Sequence, residues 1–412
     1  MPTDAPNPVP PRREHQLWAV PLLVAMGLLS LLALSYLASI LDPQRNLHDF
    51  PLLLVKEDRG EYGAAVADTV TAGLRGDQVS LRATDAATAE SVLSAGKAYA
   101  AIVIPADFST RVTALEQPTG VGAPPVVEIR TNPRTGATAV SLAERLVNPV
   151  LERANRELGA DVLDRARVNG VPLSDAALIT LAEPIRVSVV EFHPLPAGSA
   201  NGISAFYYTL LVVFAGFTGS LLINGGVDAA VARDTGISRW RVLLYKWGLA
   251  AVVAVVMAGV YQLIAAALGM PMDHHAALYL FSAYASLAIG MTAMTILTVV
   301  ATAATALRLP VLNTLGMPIN MLLFLALGLP SSGGIVPIEA TPPAYGALSR
   351  FEPMHQVYLG IRSILYFDAR ADAGLTRAVG MCTLGVAIAV GLGVATTLGY
   401  DRLRARTSAA AA

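Results

Sequence analysis

Apolar positions along the chain follow two regimes. In six segments they run almost unbroken: Leu17–Leu41, Ile203–Asn224, Trp247–Met270, Ala276–Ala301, Leu309–Leu329 and Ala378–Tyr400. A helix needs about 20 apolar residues to cross a hydrocarbon layer ~30 Å thick, so each segment predicts one crossing. Only Arg308 and the Leu309-Pro310 step separate the fourth segment from the fifth. A charge followed by a helix breaker predicts a tight turn there. The first segment follows Arg12 and Arg13, as the core of a secretion signal would. Its apolar run exceeds the roughly 7–15 residues of such signals and no small-residue cleavage site closes it, so it reads as a retained anchor.

Between the first and second segments the period shortens and alternates. Pro51–Lys56 predicts a buried strand, and Glu57–Gly60 a turn. Tyr62–Leu74 predicts a helix through Val66, Val70 and Leu74. Val79–Ala83, Tyr99–Ile104 and Val126–Arg130 predict strands, interleaved with helices over Ala86–Leu93 and Asp107–Leu115. Gly136–Val168 predicts a long helix interrupted or kinked at Pro149. A helix over Ser174–Ala182 and a strand over Ile185–Phe192 follow, and the flexible run Gly198–Gly202 leads back to the apolar segments. Such alternation predicts an α/β domain around a central sheet, spanning residues 42–202. The fold class is thus a multi-pass α-helical membrane protein with six transmembrane helices. Its α/β extracytoplasmic domain is inserted between helices 1 and 2, and residues 1–16 and 401–412 form short tails.

Charge sharpens this picture. Only 14% of residues are charged, against about 25% in ordinary soluble domains, and mean hydropathy is +0.55. Of the 59 charged residues, 35 lie between Asp42 and Glu191. Arg12 and Arg13, then Arg233, Arg239, Arg241 and Lys246, then Arg308, then Arg402, Arg404 and Arg406 all fall on one side if six spans alternate. Positive loops stay inside, which predicts cytoplasmic termini, a plasma (inner) membrane location and an outward-facing 42–202 domain. Arg350, Arg362, Arg370 and Arg377 fall on the outer side, offset by Glu339, Glu352, Asp368 and Asp372. A net charge of −1 gives no pull toward nucleic acid. The single cysteine, Cys382, has no disulfide mate, and its apolar setting suits packing. His274 and His275 form a pair in a loop without the further ligand a metal needs. A phosphate-cradling loop and a catalytic triad are both missing, so no enzyme activity and no cofactor are expected in this chain; ATP, if used, sits on a separate subunit.

Two short stretches resemble a known family. NLHDFPLLLVKEDRG (Asn46–Gly60) is similar to the opening of the YhgE/Pip proteins, and AAIVIPADFS (Ala100–Ser109) to their second hallmark. The arrangement of one span, an outer domain and five further spans resembles the type-2 ABC transporter permease superfamily, here a short-ectodomain form without the long coiled-coil insert of larger members. The strand Leu52–Val55 with Lys56 departs from the Val and Asn usual in the first motif. The resemblance implies export or flipping of an amphipathic or lipid-like compound. It also implies pairing of two copies in the lipid and a separate ATPase partner.

Under that resemblance the loop carrying Arg233, Asp234, Arg239, Trp240 and Arg241 corresponds to the helix that couples such permeases to their ATPase. Taken alone, the same residues enforce orientation. No span carries Asp, Glu, Lys or Arg at its centre, which argues against a proton-driven pump. Tyr261, Gln262, Tyr284, Asn313 and Asn320 are the polar candidates for a cargo path, with helix–helix hydrogen bonding as their plainer role. Gly385, Gly391, Gly393 and Gly399 read as close-packing positions. Pro318 predicts a kink that frees a carbonyl. Ser331–Gly374 predicts a cap between the fifth and sixth spans, with an interfacial helix over Met354–Phe367. The rival to export is a non-transporting scaffold or surface receptor that acts through its outer domain. The orientation has a direct check: a cysteine replacing Glu128 is expected to react with impermeant reagent added outside intact cells, and labelling only after lysis would reverse the topology.

Overall fold

The computed structural model describes residues 14–116, 123–170, 175–231 and 237–411. Among them, six helices are long and apolar enough to cross a membrane. These are α1 (Glu14–Ile40), α7 (Ile203–Val231), α8 (Arg239–Ala267), α9 (His275–Ala306), an irregular fifth span over Val311–Ser331, and α14 (Leu375–Ala411). The protein is a multi-pass membrane protein. Several helices outrun their apolar cores, because a helix continues past the lipid wherever polar residues keep reasonable helix propensity. The tight turn after α9 falls where Arg308 predicts it, with φ of 54° at that residue.

Residues 50–191 build the α/β domain. Strands β1 (Phe50–Lys56), β2 (Val79–Thr84), β3 (Ala100–Ile104), β4 (Val126–Thr131) and β5 (Arg186–Glu191) form one sheet in the order β2-β1-β3-β4-β5. All neighbours are parallel except β3 and β4. β3 reads as a continuous apolar run because it is central and covered on both faces, and all five of its residues are buried. On one face, α2 (Glu61–Gly73), α4 (Phe108–Leu115) and α5 (Ala137–Val168) pack onto Leu52, Leu54, Ile102, Ile104 and Ile129. On the other, α3 (Ala86–Ser94) covers Leu53, Val55, Ala101 and Val103 with Ala89 and Leu93. α5 runs unbroken through Pro149, whereas the sequence suggests an interruption. The core side chains Val147 and Leu151 on either side of the proline are fully buried. α6 (Asp175–Ala182) packs on α5 at Gly159, where a β-carbon would overlap the carbonyl of Ala182. β5 is an edge strand whose Val187, Val189 and Val190 stay exposed.

The two stretches that carry the family resemblance meet in space. Asp58, 3% exposed, accepts hydrogen bonds from Gly60 N at 2.8 Å, Ser109 N at 2.9 Å and Ser109 Oγ at 2.7 Å. Ser109 Oγ in turn accepts from Gly63 N at 3.1 Å. A β-carbon at Gly60 would overlap the Ser109 side chain, and one at Gly63 would overlap Asp58. The carboxylate therefore joins the end of β1, the start of α2 and the start of α4. A buried carboxylate stays in place only when its lone pairs are satisfied in this way.

The domain rests on the cap that joins the fifth and sixth spans. The cap holds a short 3₁₀ turn (Ile338–Ala340), α12 (Pro343–Ser349) and α13 (Pro353–Tyr366). Tyr99 Oη donates to Glu339 Oε2 at 2.6 Å, and His48 N donates to Glu339 O at 2.8 Å. Arg134 Nη1 reaches Tyr366 O at 2.7 Å. Val336 and Ala340 of the cap belong to the domain's own core. Burial, with the Glu339 carboxylate beside it, pushes the Tyr99 hydroxyl well above its usual range and keeps it a donor.

The Asp58 junction gives a graded prediction. Ser109→Ala removes one charge-assisted bond and the acceptor of Gly63 N and is expected to cost about 1.5–3 kcal/mol, whereas Asp58→Ala strands three donors and costs more. Thermal unfolding of the detergent-solubilised chain ranks them; equal stability of both variants and the native chain would refute the junction.

Candidate functional site

The fifth span is not a regular helix. A 3₁₀ turn (Pro310–Leu315), α10 (Gly316–Met321), a π-helical turn (Leu322–Leu327) and α11 (Gly328–Ser331) follow one another. The kink expected at Pro318 thus takes the form of a π turn just beyond it. A π turn misaligns carbonyls, and in lipid each needs a donor. α1 supplies two: Ser35 Oγ donates to Ala326 O at 2.7 Å and Tyr36 Oη to Leu325 O at 3.0 Å. Tyr345 of α12 closes the group by donating to Ser35 O at 3.1 Å.

Beside this turn lies a groove of about 270 Å³ between α9, α13 and α14. Its floor is apolar, built from Ile289, Phe324, Val357, Cys382 and Ile388, with Gly385 leaving room in the α14 wall. Phe351, Leu384 and Ile388 at its margin are exposed, so it opens sideways on the apolar surface of the helices. The end nearer the α/β domain is polar. Arg377 Nε donates to Gln356 Oε1 at 3.1 Å, and Gln356 Nε2 donates to Ser349 O at 2.7 Å. Arg350 and Arg377 are both exposed at this end. An apolar cleft with Gln356 at one end, itself held by the Arg377 guanidinium, suits a molecule with one greasy tail and one oxygen-rich head.

The cap behind the groove contains an ionisable pair that sequence patterning missed. Glu352 is 1% exposed and caps α13 through Oε2, which accepts from His355 N at 2.9 Å. Its Oε1 has no hydrogen-bond partner within bonding geometry among the described residues, and a β-carbon on Gly328 would lie 3.0 Å from it. Burial pushes the Glu352 carboxyl up to about 7. His355 Nδ1 pairs with Ser332 O at 2.8 Å, and burial lowers its imidazole to about 4. The only sequence signal was Glu before Pro at a helix start, an N-cap pattern that says nothing of depth.

A second recess of about 420 Å³ lies at the opposite end of the helices, away from the α/β domain. Arg239 and Asn313, both singled out by sequence, line it together with Asn224, Asp228 and Lys246. Trp240 and Arg241 are exposed beside it, while Arg233 and Asp234 lie outside the described residues. The other polar candidates scatter. Gln262 Nε2 donates to His275 O at 2.8 Å at the domain-side turn between α8 and α9. The Tyr284 and Thr383 hydroxyls pair at 2.7 Å between α9 and α14. Asn320 is fully buried and its Nδ2 donates to Ala293 O at 3.2 Å. Tyr261 packs half-buried against the helix core. These four do not share a cavity with one another or with Asn313 among the described residues. Of the glycines read as close-packing, Gly393 meets Trp247, Gly385 borders the groove, and Gly391 and Gly399 face open space.

Residues 22–390 match a family described as a protein of unknown function, DUF3533. The chain belongs to that family. As a DUF3533 protein it has no match among curated proteins. One solved structure similar to part of it is titled "Crystal structure of a domain of a putative ABC type-2 transporter from Thermotoga maritima MSB8". The two share 17% identity over 34% of this chain and 85% of the other, with a TM-score of 0.25, too low to bear on fold or function.

The Glu352 carboxyl gives a pH prediction. A carboxyl raised from about 4.5 to about 7 favours the fold while protonated and withdraws that support as pH rises through this window. Glu352→Gln keeps a cap acceptor without the charge. The difference in unfolding free energy between this variant and the native chain is expected to grow in the variant's favour between pH 4.5 and 7, by about 3 kcal/mol in all, and to level off above. A difference that does not vary with pH would remove the carboxyl's special status.

Proposed function

We propose that this DUF3533 protein moves an amphipathic, lipid-like molecule between membrane leaflets, as a permease subunit served by a separate ATPase. The observation that carries the reading is the groove between α9, α13 and α14, apolar along most of its lining, open sideways, with Gln356 at its domain end bonded to Arg377. An acyl chain gains about 0.8 kcal/mol per buried methylene only relative to water, so a lipid tail enters such a groove from the bilayer at little gain or cost. Selectivity then falls to the head, which the guanidinium groups read. In this reading the domain-side surface faces outward, following the positive-inside distribution of Arg and Lys. The arginine-bearing loop between α7 and α8 faces the cytosol, where a nucleotide-driven partner would dock. Two copies of the chain, twelve spans in all, would complete the path.

A second reading has its own support. The open edge of β5, with Val187, Val189 and Val190 exposed, suits a partner strand from another protein. Under this reading the spans are an anchor and the protein is a scaffold or receptor.

The two readings separate cleanly. Gly385→Trp fills the groove without touching the domain, and is expected to lower export of a fluorescent single-chain amphipath by at least about tenfold, equivalent to about 1.4 kcal/mol. The α/β domain fused to an unrelated anchor retains function only if the scaffold reading holds. Unchanged export in Gly385→Trp, with the fused domain active, would displace the transport reading.

A further inference from the structure

Glu352 is a buried carboxyl placed where two walls of the groove come together. Phe351 and Pro353, on either side of it in the chain, line the groove, as do Leu323 and Phe324 of the π turn. Its Oε2 holds the start of α13 by accepting from His355 N at 2.9 Å. Its Oε1 faces the end of the fifth span, where a β-carbon on Gly328 would lie 3.0 Å from it. One carboxyl, 1% exposed, therefore touches both elements.

The two oxygens fare differently. Oε1 has no partner within bonding geometry among the described residues. The hydroxyl beside it, Ser331, donates to Leu327 O at 2.6 Å and leaves only lone pairs for the carboxyl. An ionised carboxylate at this place meets a lone pair and no donor. A protonated one carries the donor that the Ser331 lone pair can accept. Burying the ionised form without a counter-charge is costly, and burial holds the carboxyl up at about 7.

The surrounding charged groups are engaged elsewhere. On α13, His355 Nδ1 pairs with Ser332 O, and Arg362 lies over the rings of Tyr358 and Phe367. Arg377 of α14 donates to Gln356, and Arg350 before α13 is exposed. Glu339 accepts from Tyr99, and His48 lies against Gly346 of α12. The fifth span carries no titratable residue, Tyr345 of α12 bonds to Ser35, and Tyr36 of α1 bonds to Leu325 O.

We propose that Glu352 is a proton-operated latch on the groove: protonated, it binds the start of α13 to the end of the fifth span, and ionised, it releases them and widens the groove between Phe324 and Pro353. The sign follows from the direction of the shift. A raised carboxyl is neutral at lower pH, so the latch holds there and opens as pH rises through about 7. The inference rests on the groove reading above and names a regulation of that site. Its test reads groove opening rather than export, so its failure is distinguishable from that of the Gly385→Trp prediction.

The chain carries its own reporter, since its single cysteine, Cys382, lines the groove and is 7% exposed. The experiment measures the rate at which N-ethylmaleimide alkylates Cys382 in the full chain in maltoside micelles, between about pH 6 and about pH 8.5. Glu352→Gln is the reference, because it retains the pH dependence of the thiol and of every other group. Relative to it, the native rate is expected to rise about fivefold, as the ionised fraction of the carboxyl goes from about a tenth to nearly all. Gly328→Ala tests the geometry without changing a charge. Its β-carbon crowds Oε1 and is expected to raise the rate at the acid end by about threefold and to flatten the rise. A merely structural cap gives parallel profiles in the native chain and Glu352→Gln. Parallel profiles, or a Gly328→Ala chain that reacts like the native one at the acid end, would overturn the latch.

Discussion

Lipid offers no hydrogen bonds, and the architecture of the membrane region turns on how one span breaks its helix without water to satisfy it. Two carbonyls of the π turn at Leu322–Leu327 accept from α1, Leu325 O from Tyr36 and Ala326 O from Ser35, with Leu325 O also bonded to Gly328 N. With the Tyr345–Ser35 contact, these bonds tie a peripheral first helix to the fifth span and the cap. Its neighbours along the lipid are otherwise few, and Leu23, Leu29 and Leu34 remain exposed. The turn also sets Phe324 into the groove wall and brings Gly328 against Glu352, so the groove and the cap share one irregularity.

Much of this was legible in the chain. The spans followed from length and hydropathy, because a bilayer imposes a minimum run that little else in a protein requires. The strands of the α/β domain followed from short apolar runs between helical periods, and β1, β3 and β4 came within a residue or two of their expected limits. Of the two outcomes expected at Pro149, an interruption does not occur, since α5 continues through it with Val147 and Leu151 buried on either side. The site was harder to read. Asn313 stood out as a polar residue within a span and Arg239 as a charge of the loop after α7, while Lys246 gave only an orientation signal, and nothing in sequence says that its ammonium folds back onto Asn224 and Asp228. Glu352 was invisible for the same reason. Charge is written in the sequence, whereas depth arises only when the helices assemble.

The α/β domain and the membrane helices are physically one system. Glu339 takes hydrogen bonds from both the sheet side, through Tyr99, and the loop after α1, through His48. Arg134 grips the end of α13, whose other end is capped by Glu352 beside the groove. A displacement of the sheet therefore has a short, stiff route to the helix that forms one wall of the groove. The route consists of polar contacts with defined partners, which suits two discrete arrangements better than a continuous slide.

The Asp58 junction bears on how relatives of this chain are recognised. The residues that make the two shared stretches look alike are those whose atoms interlock, namely Asp58, Gly60 and Ser109. They touch neither the groove nor the far recess. Kinship detected through them is kinship of a structural clasp in the α/β domain, and it speaks of how that domain is built rather than of what the membrane helices do.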